Sequence, residues 1–397
     1  MAKRIKKEES VVDRMSEIFD ITKTLNDKFG GNVAFTLDNG DAPTEIKHYI
    51  STGSTLLDIA ISNRADGGLP CGRVVEISGT ESSGKSLLAI HAVVDTQKKG
   101  GYAIYFDTEN ATSVEFMERL GVDTSKLIYV QPKTIEDLFE MAESILQTIR
   151  ASERDCPVLI VWDSLAATPS AEEASADYDH REISSGARAI SRGLKKIVNY
   201  LGQMSVCFII INQVRQNINT FGYAAEKYTT PGGMAPKFYS SVRITISKGS
   251  KIENKISDSE LEWIGVKANV IVKKNKIAPP YRKAEFDIYF RHGIDDISSW
   301  IPILEKTGVV SITSKDGTAS KSGRYYTINL PDGPITITRG EYLGTVANNE
   351  SIYNYLKQVV VEKLLVTYKQ EDNLADIDSE SIVISEVDSE KDFDLSD

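Results

Sequence analysis

Between residues 70 and 290 short apolar runs alternate with segments of helical periodicity. The runs are "RVVEIS" (73–78), "YAIYFD" (102–107), "LIYV" (127–130), "VLIVWDS" (158–164) and "VCFIII" (206–211). Strands that read as near-continuous apolar stretches are covered on both faces, as in a parallel sheet. Helical patterns separate them. One opens at Ser86, one runs through "TIEDLFEMAESILQTI", and one carries Ala187, Ile190, Leu194, Ile197, Val198 and Leu201 on a single face. Then "VRITISK" (242–248), "ANVIVKK" (268–274) and "AEFDIYF" (284–290) follow without helices between them. This predicts an antiparallel extension of the same sheet. The expected fold is α/β, with a mainly parallel sheet and helices on both faces.

Outside this core the pattern changes. Residues 11–29 place Val12, Met15, Ile18, Phe19, Thr22, Leu25 and Phe29 at helical spacing and stop at Gly30-Gly31. The stripe fits a helix packed on a core of its own, or a helix that docks on a neighbouring subunit. Residues near 291–369 have the mixed pattern of a small α/β appendage. From 370 the chain is rich in acids and poor in aromatics, the composition of a disordered tail. The expected organisation is an N-terminal helix and linker over 1–48 and a core over 49–290. A small C-terminal α/β domain over 291–369 and an acidic tail over 370–397 complete it. Inside the core, "INQVRQNINTFGYAAEKYTTPGGMAPKFY" (211–239) leaves its strand at Asn212-Gln213. It then shows neither period for about twenty residues, a length that compact domains keep for a purpose.

The 397 residues are 41% hydrophobic, ordinary for a globular chain. No apolar run reaches the ~20 residues of a bilayer span. "MAKRIKKEES" is basic with no apolar stretch behind it, so it does not read as a secretory signal. Cys71, Cys156 and Cys207 form neither a disulfide framework nor a zinc spacing. Cys156 and Cys207 border or lie in apolar runs and are expected to be buried. The expectation is a cytoplasmic protein without membrane contact. The net charge of −11 argues at first against nucleic acid. Eleven acids against one lysine lie in 371–397, however, so the rest of the chain is close to neutral. Lys3, Arg4, Lys6 and Lys7 make the opposite end basic. His48, His91, His180 and His292 are too dispersed for a metal site and read as structural or surface residues. Trp162, inside a strand, is expected in the core.

Residues 79–86 read "GTESSGKS", a full match to G-x-x-x-x-G-K-[ST], placed after a strand and opening a helix. The glycines let backbone N–H groups converge on phosphate, and the helix N-terminus adds partial positive charge. The nucleotide-binding candidates are Gly79, Glu81, Ser82, Ser83, Gly84, Lys85, Ser86 and Leu87. Lys85 can reach the β- and γ-phosphates, and Ser86 can ligate Mg²⁺. Such a loop needs a metal-supporting acid at the end of a buried strand, and Asp163 fits; the plainer alternative is a helix-capping Asp. Hydrolysis needs a group to orient and deprotonate water. Glu109, two residues past "YAIYFD", is the candidate, with Asp107 as its rival. Gln213 ends a third apolar strand on the same edge. Its amide both donates and accepts, so it can touch a γ-phosphate and let nucleotide state set loop order. The plainer alternative is a polar residue leaving a strand.

Together these motifs resemble the RecA family of homologous-recombination ATPases, from about Ile50 to Phe290. "STGSTLLDIAI" and "GGLPCGRVVEISGTESSGKS" look like the family's entry into its P-loop. "YFDTENA" matches the segment with the catalytic Glu, here Glu109. "LIVWDS" matches the Walker B strand, here ending at Asp163, and "FIIINQVR" the strand leading to the nucleotide-sensing Gln, here Gln213. "APKFYSSVR" is similar to the family signature. "VKKNKIAPPY" is similar to the segment whose two lysines act on the neighbouring subunit's ATP, here Lys274 and Lys276.

The resemblance also implies two DNA loops. The first would lie in "EEASADYDHREISSG", before a helix whose Arg188 and Lys195 fall at DNA-contacting positions. The second is the 211–239 stretch, where Ile218 matches a residue that wedges between base triplets. Arg215, Gly232 and Gly233 match phosphate-contacting positions there. That loop looks about two residues longer than the common bacterial form. Phe116 stands where the family often has an adenine-stacking Tyr, and Ser113 replaces an Asp near the base. Residues 291–369 match the family only weakly.

The implied activity is a DNA-dependent ATPase that forms helical filaments on single-stranded DNA and exchanges strands in recombination and repair. ATP and Mg²⁺ would be its cofactors. Its partners would be single- and double-stranded DNA, further copies of the chain, and loader or single-strand-binding proteins. Two alternatives share the core: a ring helicase or motor, and a regulatory filament that scaffolds a partner.

Overall fold

The computed structural model describes residues 2–31, 33–37, 44–151, 155–177, 184–216, 228–257, 260–320 and 322–366. The chain divides into two units, Met1–Lys47 and His48–Asp397. In the first, helix α1 (Ala2–Phe29) begins earlier than its apolar stripe predicts. It stops at Gly30, which takes the left-handed conformation with φ 70°. Asn26 closes the turn that follows, accepting from the N–H groups of Val33 and Ala34 at 2.8 and 2.9 Å. Met15, Phe19, Leu25 and Phe29 are all exposed.

The second unit is built on a nine-stranded sheet. Its strands are β1 (Arg73–Gly79), β2 (Tyr102–Asp107), β3 (Leu127–Val130), β4 (Val158–Asp163) and β5 (Val206–Gln213). They continue with β6 (Ser240–Ser257), β7 (Glu260–Asn275), β8 (Lys283–Tyr289) and β9 (Gly293–Asp295). The spatial order is β9-β8-β7-β6-β1-β5-β4-β2-β3. Pairing is parallel from β6 through β3 and antiparallel from β6 through β9. The expected mainly parallel sheet with an antiparallel extension is what forms.

Alternation along each strand sends successive side chains to opposite faces. Ile77, Tyr105, Val161 and Ile209 pack on the face covered by α2 (Thr55–Ser62) and α3 (Lys85–Lys98). Val74, Phe106, Trp162 and Phe208 pack on the face covered by α4 (Ile135–Arg150) and α5 (Ser185–Met204). Both faces are therefore apolar, which is why these strands read as unbroken hydrophobic runs. Trp162 is fully buried and donates to Thr168 Oγ1 at 2.8 Å, as a core tryptophan should. Phe139 of α4 stacks on Phe208 and meets Trp162 edge-on.

A second sheet, β10 (Val310–Thr313), β11 (Tyr325–Leu330) and β12 (Gly333–Thr338), lies in the C-terminal part together with α6 (Glu350–Leu364). Trp300, Ile328 and Leu356 join the same hydrophobic core as the α3 face. No helix among the described residues is long and apolar enough to cross a membrane.

Two expectations need correction. β6 and β7 extend well beyond 242–248 and 268–274. Past Ile246, β6 has no β1 partner, and the two strands continue as a ribbon. The ribbon exposes Leu261 and Trp263, with Lys251 Nζ 3.5 Å from the Trp263 ring centre. Its polar composition hides it from a hydrophobicity pattern. Cys156 is half-buried, whereas Cys71 and Cys207 are fully buried. His91 is half-buried and accepts from the Ile294 N–H at 3.3 Å, and desolvation holds its pKa down to about 4. His180 lies outside the described residues.

Helix α2 is pinned by two carboxylates, Asp58 buried and Asp296 half-buried. Asp58 accepts from Thr52 N and Oγ1 at 2.8 and 2.7 Å and from Ser51 Oγ at 2.5 Å. Asp296 accepts from Thr55 N and Oγ1, both at 2.6 Å. Burial pushes Asp58 up to about 7, against the pull of those hydrogen bonds. A carboxyl raised on folding favours the folded state most at low pH, and the contribution is lost as pH rises through about 7. The denaturation midpoint of the wild type should therefore fall between about pH 5 and pH 8. In Asp58→Asn, which keeps an acceptor for Thr52, the fall should be shallower.

Helices α4 and α5 meet at Gly193, where a Cβ would lie 2.1 Å from Phe139 Cδ2. Gly193→Ala must displace Phe139 from its aromatic cluster. Urea titration should show a loss of about 1–3 kcal/mol.

Candidate functional site

β1 ends at Gly79 and α3 begins at Lys85, so residues 80–84 turn between strand and helix. The turn is pressed by its neighbours. A Cβ on Gly79 would lie 2.2 Å from the Ile246 carbonyl oxygen, and one on Gly84 2.6 Å from Ile288 Cδ1. Gly84 also has φ 99°, a conformation that favours glycine. Lys85 Nζ and Ser83 Oγ donate to the Thr80 carbonyl at 2.6 and 2.8 Å. Burial lowers the Lys85 pKa, while Asp163, Glu109 and Glu81 oppose the shift. Glu81 and Ser82 are exposed, and Leu87 is buried in the core.

Register brings the other candidates to this edge. Gly79 pairs with Gln213, and Asp107 with Asp163. Asp163 accepts from Tyr105 Oη at 2.6 Å and is also hydrogen-bonded by Ser86. Burial raises its pKa, and these two bonds pull the other way. Glu109 Oε1 accepts from Ser164 Oγ and, at 3.4 Å, from Gln213 Nε2.

Asp107 is differently engaged. Its Oδ1 accepts from the N–H groups of Glu109 and Asn110 at 3.0 and 2.8 Å. Its Oδ2 accepts from Thr112 N at 3.2 Å and Tyr129 Oη at 2.8 Å. Burial pushes this carboxyl up, but the bonds from Tyr129, Thr112 and Asn110 outweigh it and hold the pKa below the usual value. Asp107 is thus a clamp on the loop that carries Glu109.

Among the described residues no group of three or more His, Cys, Asp or Glu is placed to hold a metal ion. The hydroxyl of Ser86 against the buried carboxyl of Asp163 fits Mg²⁺ all the same. That ion takes one or two protein ligands and fills its shell with phosphate and water.

Lys274 and Lys276 are not brought to this edge. Lys274 pairs with Arg243, which pairs with Glu76, three residues before Gly79. That is about 10 Å down the sheet. Lys274 Nζ donates to the carbonyls of Lys237 and Phe238 at 2.6 and 3.2 Å. Phe116 sits in a one-turn helix capped by Ser113, whose Oγ accepts from Phe116 N at 3.3 Å, and packs against the core.

The neck of the 211–239 loop is tied by Asn212. Its Nδ2 donates to Glu76 Oε1 at 3.0 Å and the Pro231 carbonyl at 3.1 Å, and its Oδ1 accepts from Gln213 N at 3.0 Å. Glu76 is fully buried and takes Arg243 Nε at 2.5 Å. Gly232 and Gly233 have φ 93° and 67°. A Cβ on Gly233 would lie 3.2 Å from Ala187 Cβ, so the loop returns beside the first turn of α5. That helix exposes Lys195 and Arg188, the latter 3.5 Å from Glu172. Arg215 pairs with Thr229 in a two-residue ladder. Ile218 lies outside the described residues.

Sequence patterns missed Tyr105, Tyr129, Ser164 and Glu76. Alternation alone puts Tyr105 on the face of Asp107, a signal for the first of them.

A family model described as "RecA N-terminal domain" matches residues 17–295. Protein RecA of Helicobacter acinonychis is 39% identical over 302 residues, 75% of this chain and 82% of the relative. Protein RecA of Helicobacter pylori strain P12 is 38% identical over the same shares. Protein RecA of Crocosphaera subtropica is 37% identical over 325 residues, 82% of this chain and 85% of the relative. With a match across the sheet that holds the site, and relatives this similar over most of both lengths, the chain belongs to the RecA family.

Proposed function

We propose that the protein is an ATP-dependent DNA recombinase that assembles on single-stranded DNA and exchanges strands. The convergence of Lys85, Ser86, Asp163, Glu109 and Gln213 on one sheet edge, at the neck of a long loop, carries this reading. ATP lies with its β- and γ-phosphates on the N–H groups of residues 81–87 and on Lys85. Mg²⁺, held by Ser86 with Asp163 behind it, would neutralise charge on those phosphates. Glu109 takes the proton of the attacking water. The new bond forms to the γ-phosphorus as the bridging oxygen leaves with ADP. The four donors that already occupy the lone pairs of Asp107 favour Glu109 over it as base.

Gln213 is one residue from Asn212, which ties both ends of the loop. A γ-phosphate that draws Gln213 Nε2 from Glu109 therefore acts on the loop that grips DNA. Arg188 and Lys195, with Arg215 and Gly232-Gly233, contact the DNA backbone, and base pairing reads homology. Lys274 and Lys276 lie far from their own chain's P-loop, which supports action on the ATP of an adjacent subunit. The exposed apolar stripe of α1 docks on that neighbour.

Two measurements test the proposal. Single-stranded DNA should stimulate ATP hydrolysis strongly; a rate indifferent to DNA would overturn it. Glu109→Gln should bind ATP as the wild type does, lose about 10²–10⁴-fold in turnover, and leave filaments on DNA that persist. Normal hydrolysis by that variant would remove Glu109 as base.

A further inference from the structure

Tyr105 faces α3, two residues before Asp107 on β2. Its register partner on β4 is Val161, so Asp163 is its diagonal neighbour on the same face. Diagonal neighbours stand about 7–8 Å apart, within reach of an aromatic side chain. The phenol closes that gap, donating to Asp163 Oδ2 at 2.6 Å, and its ring is fully buried. Thr112, three residues past Glu109, is hydrogen-bonded with the phenol as well. A phenylalanine would fill the same apolar space. The hydroxyl serves only the polar chain from the Glu109 loop to the acid behind Ser86. As a neutral donor it fixes the carboxylate without cancelling its charge.

We propose that Tyr105 is a positioning residue for the nucleotide's Mg²⁺. By holding Oδ2 of Asp163 it sets the carboxyl that backs Ser86. The inference rests on the nucleotide site proposed above. Partners one shell out from a metal typically set its affinity by 10–100-fold.

The test is a Mg²⁺ titration of fluorescent ATP-analogue binding by the full chain, with EDTA as the metal-free reference. In Tyr105→Phe the Mg²⁺ midpoint should rise about tenfold. Affinity in EDTA and the melting temperature should stay near wild type. An unchanged midpoint overturns the inference, and so does an equal loss of affinity with and without Mg²⁺, which marks a packing role. Should Tyr105→Phe not fold, Tyr105→Met repeats the measurement with the hydroxyl again absent. A wild type whose binding ignores Mg²⁺ overturns the nucleotide site and this inference together. A responsive wild type matched by the variant overturns the inference alone.

Discussion

Parallel pairing in matched register is the constraint on which the site rests. β1, β5, β4 and β2 run the same way, so their C-terminal ends arrive together, Gly79 beside Gln213 and Asp107 beside Asp163. A one-residue slip would exchange the faces of a strand and carry Asp163 from Ser86 to the α4 side. The apolar layers on both faces hold that register. The polar residues at the edge depend on burial that takes place well below them.

At that edge, three acids of nearly equal chemistry are sorted by their partners. Asp107 is surrounded by donors and becomes a structural clamp. Asp163 is buried between a phenol and a serine hydroxyl, which suits a group that backs a metal ligand. Glu109 is left with Ser164 and a long contact to Gln213, so it keeps capacity for water. Environment, more than residue type, separates the roles.

A second polar system links this edge to the rest of the sheet. Glu76 has 0% exposure, and a charge buried so deeply must be paired. Arg243 and Asn212 satisfy it. Asn212 then ties the loop neck, while Arg243 stands beside Lys274. The loop and the lysine-bearing strand therefore share one buried anchor. Lys274 nevertheless lies along the sheet from its own P-loop, three residues below Gly79 in register.

The sequence by itself determined the α/β class, the strand order of appearance, the phosphate loop and the identities of Asp163, Glu109 and Gln213 as strand-end polar groups. Those signals are local: a turn, a period, a spacing of a few residues. It left Asp107 and Glu109 as rivals and gave no hint of the β6–β7 ribbon, whose polar residues carry no hydrophobic period. Tertiary structure added the donor that completes the set around Asp107: Tyr129, from the neighbouring strand β3, joins the N–H groups of Glu109, Asn110 and Thr112 on the same loop. It also joined Tyr105 to Asp163 across 58 residues and placed Lys274 away from Lys85. Such contacts are set by which strands lie side by side, and that choice belongs to the packing of the whole sheet.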